Sequence, residues 1–188
     1  MNESLLSNMT DSSRETETNS SYKSQTSKET DLKIQIINSI SLNLNEIINE
    51  NKSNSNYVKQ DFFYLPFIPP ISLKDYINRI MKYSNMEIST LIIAIIYIDN
   101  FCDMNRYILT ANNVYRILLS ACLLSLKFNE DIPVNYKYYA EIAAVSVEDL
   151  KNLEFYMYLE LHFSLYIKYD LYKLYYDYFS NYAIQKNK

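Results

Sequence analysis

An all-α fold is what the sequence predicts, on three observations. Apolar residues recur at intervals of three and four through most of the chain beyond residue 31. Ser, Thr or Asn precedes several of these stretches where a helix N-cap belongs. No stretch alternates apolar and polar residues as a half-buried strand would.

Taken in order, residues 1–30 are Ser, Thr, Glu, Asn and Lys with few apolar side chains. Such a segment cannot bury enough surface to offset chain entropy, so a disordered tail is expected. A helix and linker follow over residues 31–55, with Ile36, Ile37, Ile40, Leu44, Ile47 and Ile48 on one stripe. Residues 62–70 (FFYLPFIPP) are too rich in Pro for a helix and too apolar for a solvated loop. They predict an extended strap lying on the domain surface.

Ser72 then caps a first helix to about Tyr83, with Asp75 placed to complete a capping box only approximately. Residues 87–102 form a second helix, apolar almost all round over 91–98 and therefore central. Thr110 is the expected cap of a third, over residues 111–128, whose core stripe is Val114, Ile117, Leu118, Ala121 and Leu124. Asn135 caps a short fourth helix to about Ala143, and Ser146 a fifth to about Leu161. Glu148 and Asp149 in the fifth helix's first turn suit the positive end of its dipole. Residues 166–183 predict a last, tyrosine-rich helix. The sum is five consecutive helices with one flanking helix on each side.

Composition removes several classes of function. The chain of 188 residues contains no Gly, so no phosphate-cradling loop of the P-loop, Rossmann or kinase kind can be written. His162 is the only His, and Cys102 and Cys122 are the only Cys, so a zinc site or a Cys–His nucleophile is hard to assemble. The two thiols read as reduced core residues and His162 as a structural side chain. No metal or cofactor is expected, and the chain does not read as an enzyme. A net charge of −4 supplies no basic field for nucleic acid. The most apolar run, residues 91–98, is far shorter than the ~20 residues of a membrane helix, and the N-terminus lacks a signal-peptide pattern. An intracellular protein, nuclear or cytoplasmic, is expected.

Four segments carry a family resemblance: PPISLKDYINRIMKYS (69–84), LIIAIIYIDNF (91–101), LTANNVYRILLSACLLSLKFNED (109–131) and NYKYYAEIAAVSVEDLKNLEFYMYLELHFSL (135–165). In this order and spacing they resemble the cyclin box, most closely that of the P/U-type cyclins. The resemblance implies a box over residues 56–167 and a C-terminal helix over 168–188. It also implies a regulatory subunit that forms a heterodimer with a cyclin-dependent protein kinase. In cyclins a Lys near the end of the third box helix and a Glu in the fifth grip the kinase's mobile regulatory helix. The matching residues are Lys127 and Glu154, and Phe128 and Phe163 match apolar positions that pack against that kinase helix.

The residues themselves point the same way. Glu154 falls within the stripe of Leu150, Leu153, Met157 and Leu161, and a carboxylate among apolar neighbours needs a partner. Lys127, ending an apolar helix, is the expected one, either within the fold or while also serving a docked peptide. Arg116 is expected to brace the Asp99 region or a neighbouring loop. The chain departs from the family at Asn100, where an Arg is usual, and at Ala143–Ala144, where a Gly pair is usual. The second departure implies a different bend into the fifth helix. The first helix lacks the apolar substrate-docking motif of cell-cycle cyclins, and no destruction box is recognisable. Two alternatives stand beside kinase activation: a cyclin-fold adaptor, favoured if Lys127 and Glu154 bridge deep in the core, and a transcription-factor-type cyclin fold.

Overall fold

The computed structural model describes residues 28–52, 61–131 and 133–186, with side chains to Tyr182. The tail expected over residues 1–30 lies outside them except for its last three residues, and so does most of the linker after residue 52. The described residues are helical with no strand, the all-α fold that the periodicity predicts. The described residues divide into two units, one with residues 28–35 and one beginning at Ile36. In the first, residues 28–35 are helical and mostly exposed.

The second unit contains the core. Within residues 36–50 of helix α1 (28–50), Ile36, Ile37, Ile40, Leu44 and Ile48 of the stripe read from the spacing are buried and Ile47 is half-buried. The five central helices are α2 (Leu73–Ser84), α3 (Ile88–Asn105), α4 (Val114–Asn129), α5 (Tyr136–Ala143) and α6 (Val147–Glu160), followed by α7 (Tyr169–Lys186). Helix α3 is the hub, packed against α4, α6 and α7, while α2 and α5 close the bundle against α4 and α6. By length and composition α3 is apolar enough to cross a membrane. Here its Leu91, Ile92, Ala94, Ile96 and Tyr97 are sealed inside the protein, and Tyr97 donates to the Leu165 carbonyl at 2.7 Å, fastening the segment before α7.

Local chemistry sets the helix starts. Ser72, Asn135 and Ser146 each accept backbone N–H bonds as N-caps. Ser72 and Ser146 also donate to the carboxylates of Asp75 and Asp149 at 2.7 and 2.8 Å, so at Ser72 the shorter acid meets the serine hydroxyl and not the backbone N–H of a full capping box. Thr110 is not the cap of α4. Its N–H donates to the Asn113 side chain at 2.8 Å and its carbonyl accepts from Asn113 and Val114. That turn consumes residues 110–113, and α4 starts at Val114 with Asn113 as its cap residue.

The helix ends show what a chain without Gly must do. Arg106, Ala144 and His162 have φ of 48°, 56° and 50°, the left-handed region where Gly is at ease. Each closes its helix with the paired 6→1 and 5→2 backbone bonds of a Schellman motif. After α5, for example, Val145 donates to Ala140 at 3.0 Å and Ala144 to Glu141 at 3.3 Å. The bend into α6 thus passes through a left-handed position that a glycine would favour, held by Ala144 against its preference. A left-handed non-glycine residue costs about 1–2 kcal/mol, and the methyl of Ala144 is exposed. Ala144→Gly is therefore expected to stabilise the protein by a net ~0.5–1 kcal/mol after the entropy of Gly is charged. Thermal melting followed by circular dichroism should register it as a rise of about 1–4 °C; a fall would mean that the methyl packs against something that matters.

The strap before α2 is pinned at several points. Leu65 and Asn112 exchange backbone and side-chain bonds of 2.7 and 2.8 Å, and Arg116 donates to the Phe62 carbonyl at 2.7 Å. Arg116 therefore braces this neighbouring loop, not Asp99, whose carboxylate receives the Tyr175 hydroxyl of α7. Phe63 is fully buried. Its ring meets Phe101 edge-on at 5.3 Å and Tyr156 tilted at 5.4 Å.

Cys102 and Cys122 are both free. Burial pushes both thiols up to about 12, with Asp99 and Asp103 adding to the effect at Cys102, so both remain protonated at neutral pH and chemically quiet.

Candidate functional site

The site is assembled from three helix segments. Lys127 lies in the last turn of α4, where an ammonium also complements the negative end of the helix dipole. Glu154 is on α6 with Leu150, Leu153 and Met157, on the side facing the core. Tyr136 is the first residue of α5, set in place by the Asn135 cap. Their polar ends meet. Lys127 Nζ is 2.6 and 2.8 Å from the two Glu154 oxygens. Tyr136 Oη donates to Glu154 Oε2 at 2.6 Å and accepts a bond from Lys127. The Lys127 ammonium also sits 4.3 Å from the centre of the Tyr136 ring.

Exposure decides where this ring of bonds stands. The Lys127 side chain is 31% exposed and that of Glu154 11%. The pair therefore lies at the rim of the core, with the ammonium on the solvent side, and not deep within it. Burial acts to lower the Lys127 pKa, but the bonds to Glu154 and Tyr136 and the Glu154 charge outweigh it, and the net shift is upward. The Tyr136 phenol is also raised, first by burial and then by its bond to Glu154. At neutral pH the lysine is charged and the phenol protonated.

Phe128, next to Lys127, is 54% exposed, and Phe163 is 58% exposed. Phe163 rests edge-on against Tyr158 at 4.8 Å, and Tyr158 is one turn beyond Glu154 on the same face of α6. Phe163 is held there by backbone geometry. It follows His162 in a second consecutive left-handed conformation, φ 60°, and its N–H donates to the Tyr158 carbonyl at 3.1 Å. His162 thus contributes its backbone, while its imidazole is exposed. A bulky residue in this region is strained, and such strain concentrates at functional sites.

Of the four residues expected from the sequence, Lys127 and Glu154 are brought together directly, Phe128 follows Lys127 at the end of α4, and Phe163 follows α6 with its ring against Tyr158. One participant has no sequence signal: Tyr136 closes the ring, and nothing local in NYKYYAEIAA marks it.

A cleft of about 510 Å³ lies elsewhere in the bundle, lined by residues that include Leu44, Ile95 and Phe179. Polar groups along it are engaged with one another: Asn51 donates to the Leu109 carbonyl at 3.0 Å and Asn43 to Tyr178 at 3.2 Å. The site around Lys127, by contrast, presents a partly exposed charged pair, with the exposed rings of Phe128 and Phe163 following the two helices that carry it.

Comparison with known proteins gives this arrangement a context. A family model described as Cyclin matches residues 2–170. Cyclin-U2-2 of Arabidopsis thaliana is 28% identical over 161 residues, which is 82% of this chain and 70% of that protein. Cyclin-P3-1 of Oryza sativa subsp. japonica is 30% identical over 142 residues, 74% of this chain and 57% of that protein. Cyclin-U3-1 of Arabidopsis thaliana is 37% identical over 97 residues, 52% of this chain and 44% of that protein. The matches thus span from under half to about two thirds of these relatives.

Proposed function

Because the chain belongs to the cyclin family, with relatives among its P/U-type members, we propose that its regulatory role is to bind and activate a cyclin-dependent protein kinase. The observation that carries this reading is the Lys127–Glu154 pair standing at the rim, 31% and 11% exposed, with Phe128, the residue after Lys127, and Phe163, packed on Tyr158, also exposed. Lys127 and Glu154 would hold backbone groups of the kinase's regulatory helix while Phe128 and Phe163 receive its apolar face. The heterodimer would form in the nucleus or cytoplasm.

Activation then follows from population shift. A kinase whose regulatory helix is mostly misplaced lacks its active-site Lys–Glu pair. A partner that binds only the swung-in helix draws the population to the active arrangement. Moving that equilibrium from 1:99 to 99:1 takes about 5.5 kcal/mol of differential binding. Exposed aromatic rings around a desolvated charged pair are the kind of surface that supplies such a difference.

The test is a kinase panel. The purified chain is mixed with each cyclin-dependent kinase of its source organism, and phosphorylation of a generic substrate is recorded alongside Phe128→Ala and Phe163→Ala. The expected result is activation of at least one kinase, reduced tenfold or more by either substitution, since an anchor at an interface centre is worth about 1.4 kcal/mol or more. The adaptor reading draws on one specific feature, the internal satisfaction of Lys127 by Glu154 and Tyr136. Kinases that co-purify with the chain and remain inactive would favour it.

A further inference from the structure

The donor count at Lys127 has a consequence for docking. A lysine ammonium carries three donors and no acceptor. In this structure it meets both Glu154 oxygens and the Tyr136 hydroxyl, so its donors are all engaged. The Glu154 carboxylate is in a different position. Two ionised oxygens offer about four acceptor sites, and the bonds from Lys127 and Tyr136 occupy three. Glu154 can accept a partner's N–H with no loss, whereas Lys127 can reach a partner's carbonyl only by giving up a bond it already makes.

The bond to Glu154 is the stronger to keep, since both groups are charged and Glu154 is nearly buried. The bond to a neutral phenol is the weaker one. The geometry points to Tyr136 as a stand-in for the partner. In the free chain its hydroxyl occupies the acceptor position at Lys127 that a backbone carbonyl of the docked kinase helix takes over. This rests on the kinase-docking reading above and adds a residue to it. Tyr136 is an internal competitor of the docked helix: its hydroxyl takes up one donor of the ammonium in the free chain and is displaced when docking occurs. In the free chain the phenol ring also lies 4.3 Å from the ammonium, measured to its centre.

Tyr136→Phe removes the hydroxyl and keeps the ring. Docking then no longer has to break the Lys127–Tyr136 bond, and affinity for the kinase should rise about tenfold or more, the net worth of one hydrogen bond to a charged group. A second readout needs no kinase. With ¹⁵N-labelled lysine, the Lys127 amine of Tyr136→Phe should lose its proton at lower pH than in the unaltered chain, because a bond that holds it charged is gone. A ring that served only as packing would leave that titration unmoved.

Both effects together support the exchange. An unchanged Lys127 titration overturns it, since the hydroxyl would then not be holding the ammonium. A shifted titration with unchanged or weaker kinase binding also overturns it, since the hydroxyl would then be retained on docking while the docking reading survives. If the unaltered chain binds no cyclin-dependent kinase, the docking reading fails and the exchange fails with it.

Discussion

Lys127→Ala is expected to destabilise the protein more than Glu154→Ala, although both remove the same ion pair. The asymmetry comes from what each substitution leaves behind. Without Lys127, the Glu154 carboxylate remains 8% exposed as a residue, with the Tyr136 hydroxyl still facing it in the ring. An uncompensated charge in a buried pair costs about 3–5 kcal/mol, and partial solvation at this rim reduces that to about 2–3 kcal/mol. Without Glu154, Lys127 already has nearly a third of its side chain in solvent and can turn its ammonium outward, so about 1 kcal/mol is expected.

Urea unfolding of the two variants measures the difference directly, and the double variant should cost less than the sum of the singles because the sites are coupled. Equal losses, or a larger loss for Glu154→Ala, would mean that the carboxylate is far better solvated than its burial implies. The pH dependence has a definite sign. The folded Lys127 pKa is raised, so the lysine's contribution is fully present below its unfolded value of about 10.4 and is lost as pH rises through the folded value. The gap between the unaltered chain and Lys127→Ala should hold through the neutral range and shrink above it. Glu154→Ala and Lys127→Ala should nonetheless abolish kinase activation alike, since each removes one half of the grip.

The contrast between helix starts and helix ends explains what was readable in the residues alone. An N-cap is a local device: Ser72, Asn135 and Ser146 stand immediately before apolar runs and bond within three residues, so their roles are visible in the chain. Thr110 misled because Thr110 and Asn113 are both capping types three residues apart, and the turn between them decides which begins the helix. Helix ends are usually marked by Gly, and this chain has none. Arg106, Ala144 and His162 take up the left-handed positions with nothing in their side chains to announce it. At the site, Glu154 was conspicuous as an acid in an apolar stripe, and the family resemblance paired it with Lys127. Tyr136 reaches them only because α5 is folded against α6, a relation that no local spacing encodes. The same holds for Arg116, whose partner, the Phe62 carbonyl, is 54 residues away.

Phe63→Ala is expected to have the largest effect on stability outside the site, because the strap is part of the core and not a covering laid over it. The Phe63 ring is fully buried and lies between Phe101 of α3, Tyr107 of the α3–α4 connection and Tyr156 of α6, at centroid distances of 5.3, 6.2 and 5.4 Å. Truncating such a residue costs about 3–5 kcal/mol, a figure that already includes the edge-to-face attraction between the rings. Phe67, four residues further along the same strap, is 62% exposed, and its truncation should change stability by no more than about 0.5 kcal/mol. Chemical denaturation of the two variants side by side therefore distinguishes an anchored strap from a loosely resting one, and a loss below about 1 kcal/mol for Phe63→Ala would rule out the anchor. The consequence reaches the candidate site through α6. Tyr156 stands two residues from Glu154, and its ring packs on both Phe62 and Phe63. A strap freed from the core removes the support behind the helix that carries Glu154, so Phe63→Ala should also weaken kinase activation while every residue of the rim itself is left in place.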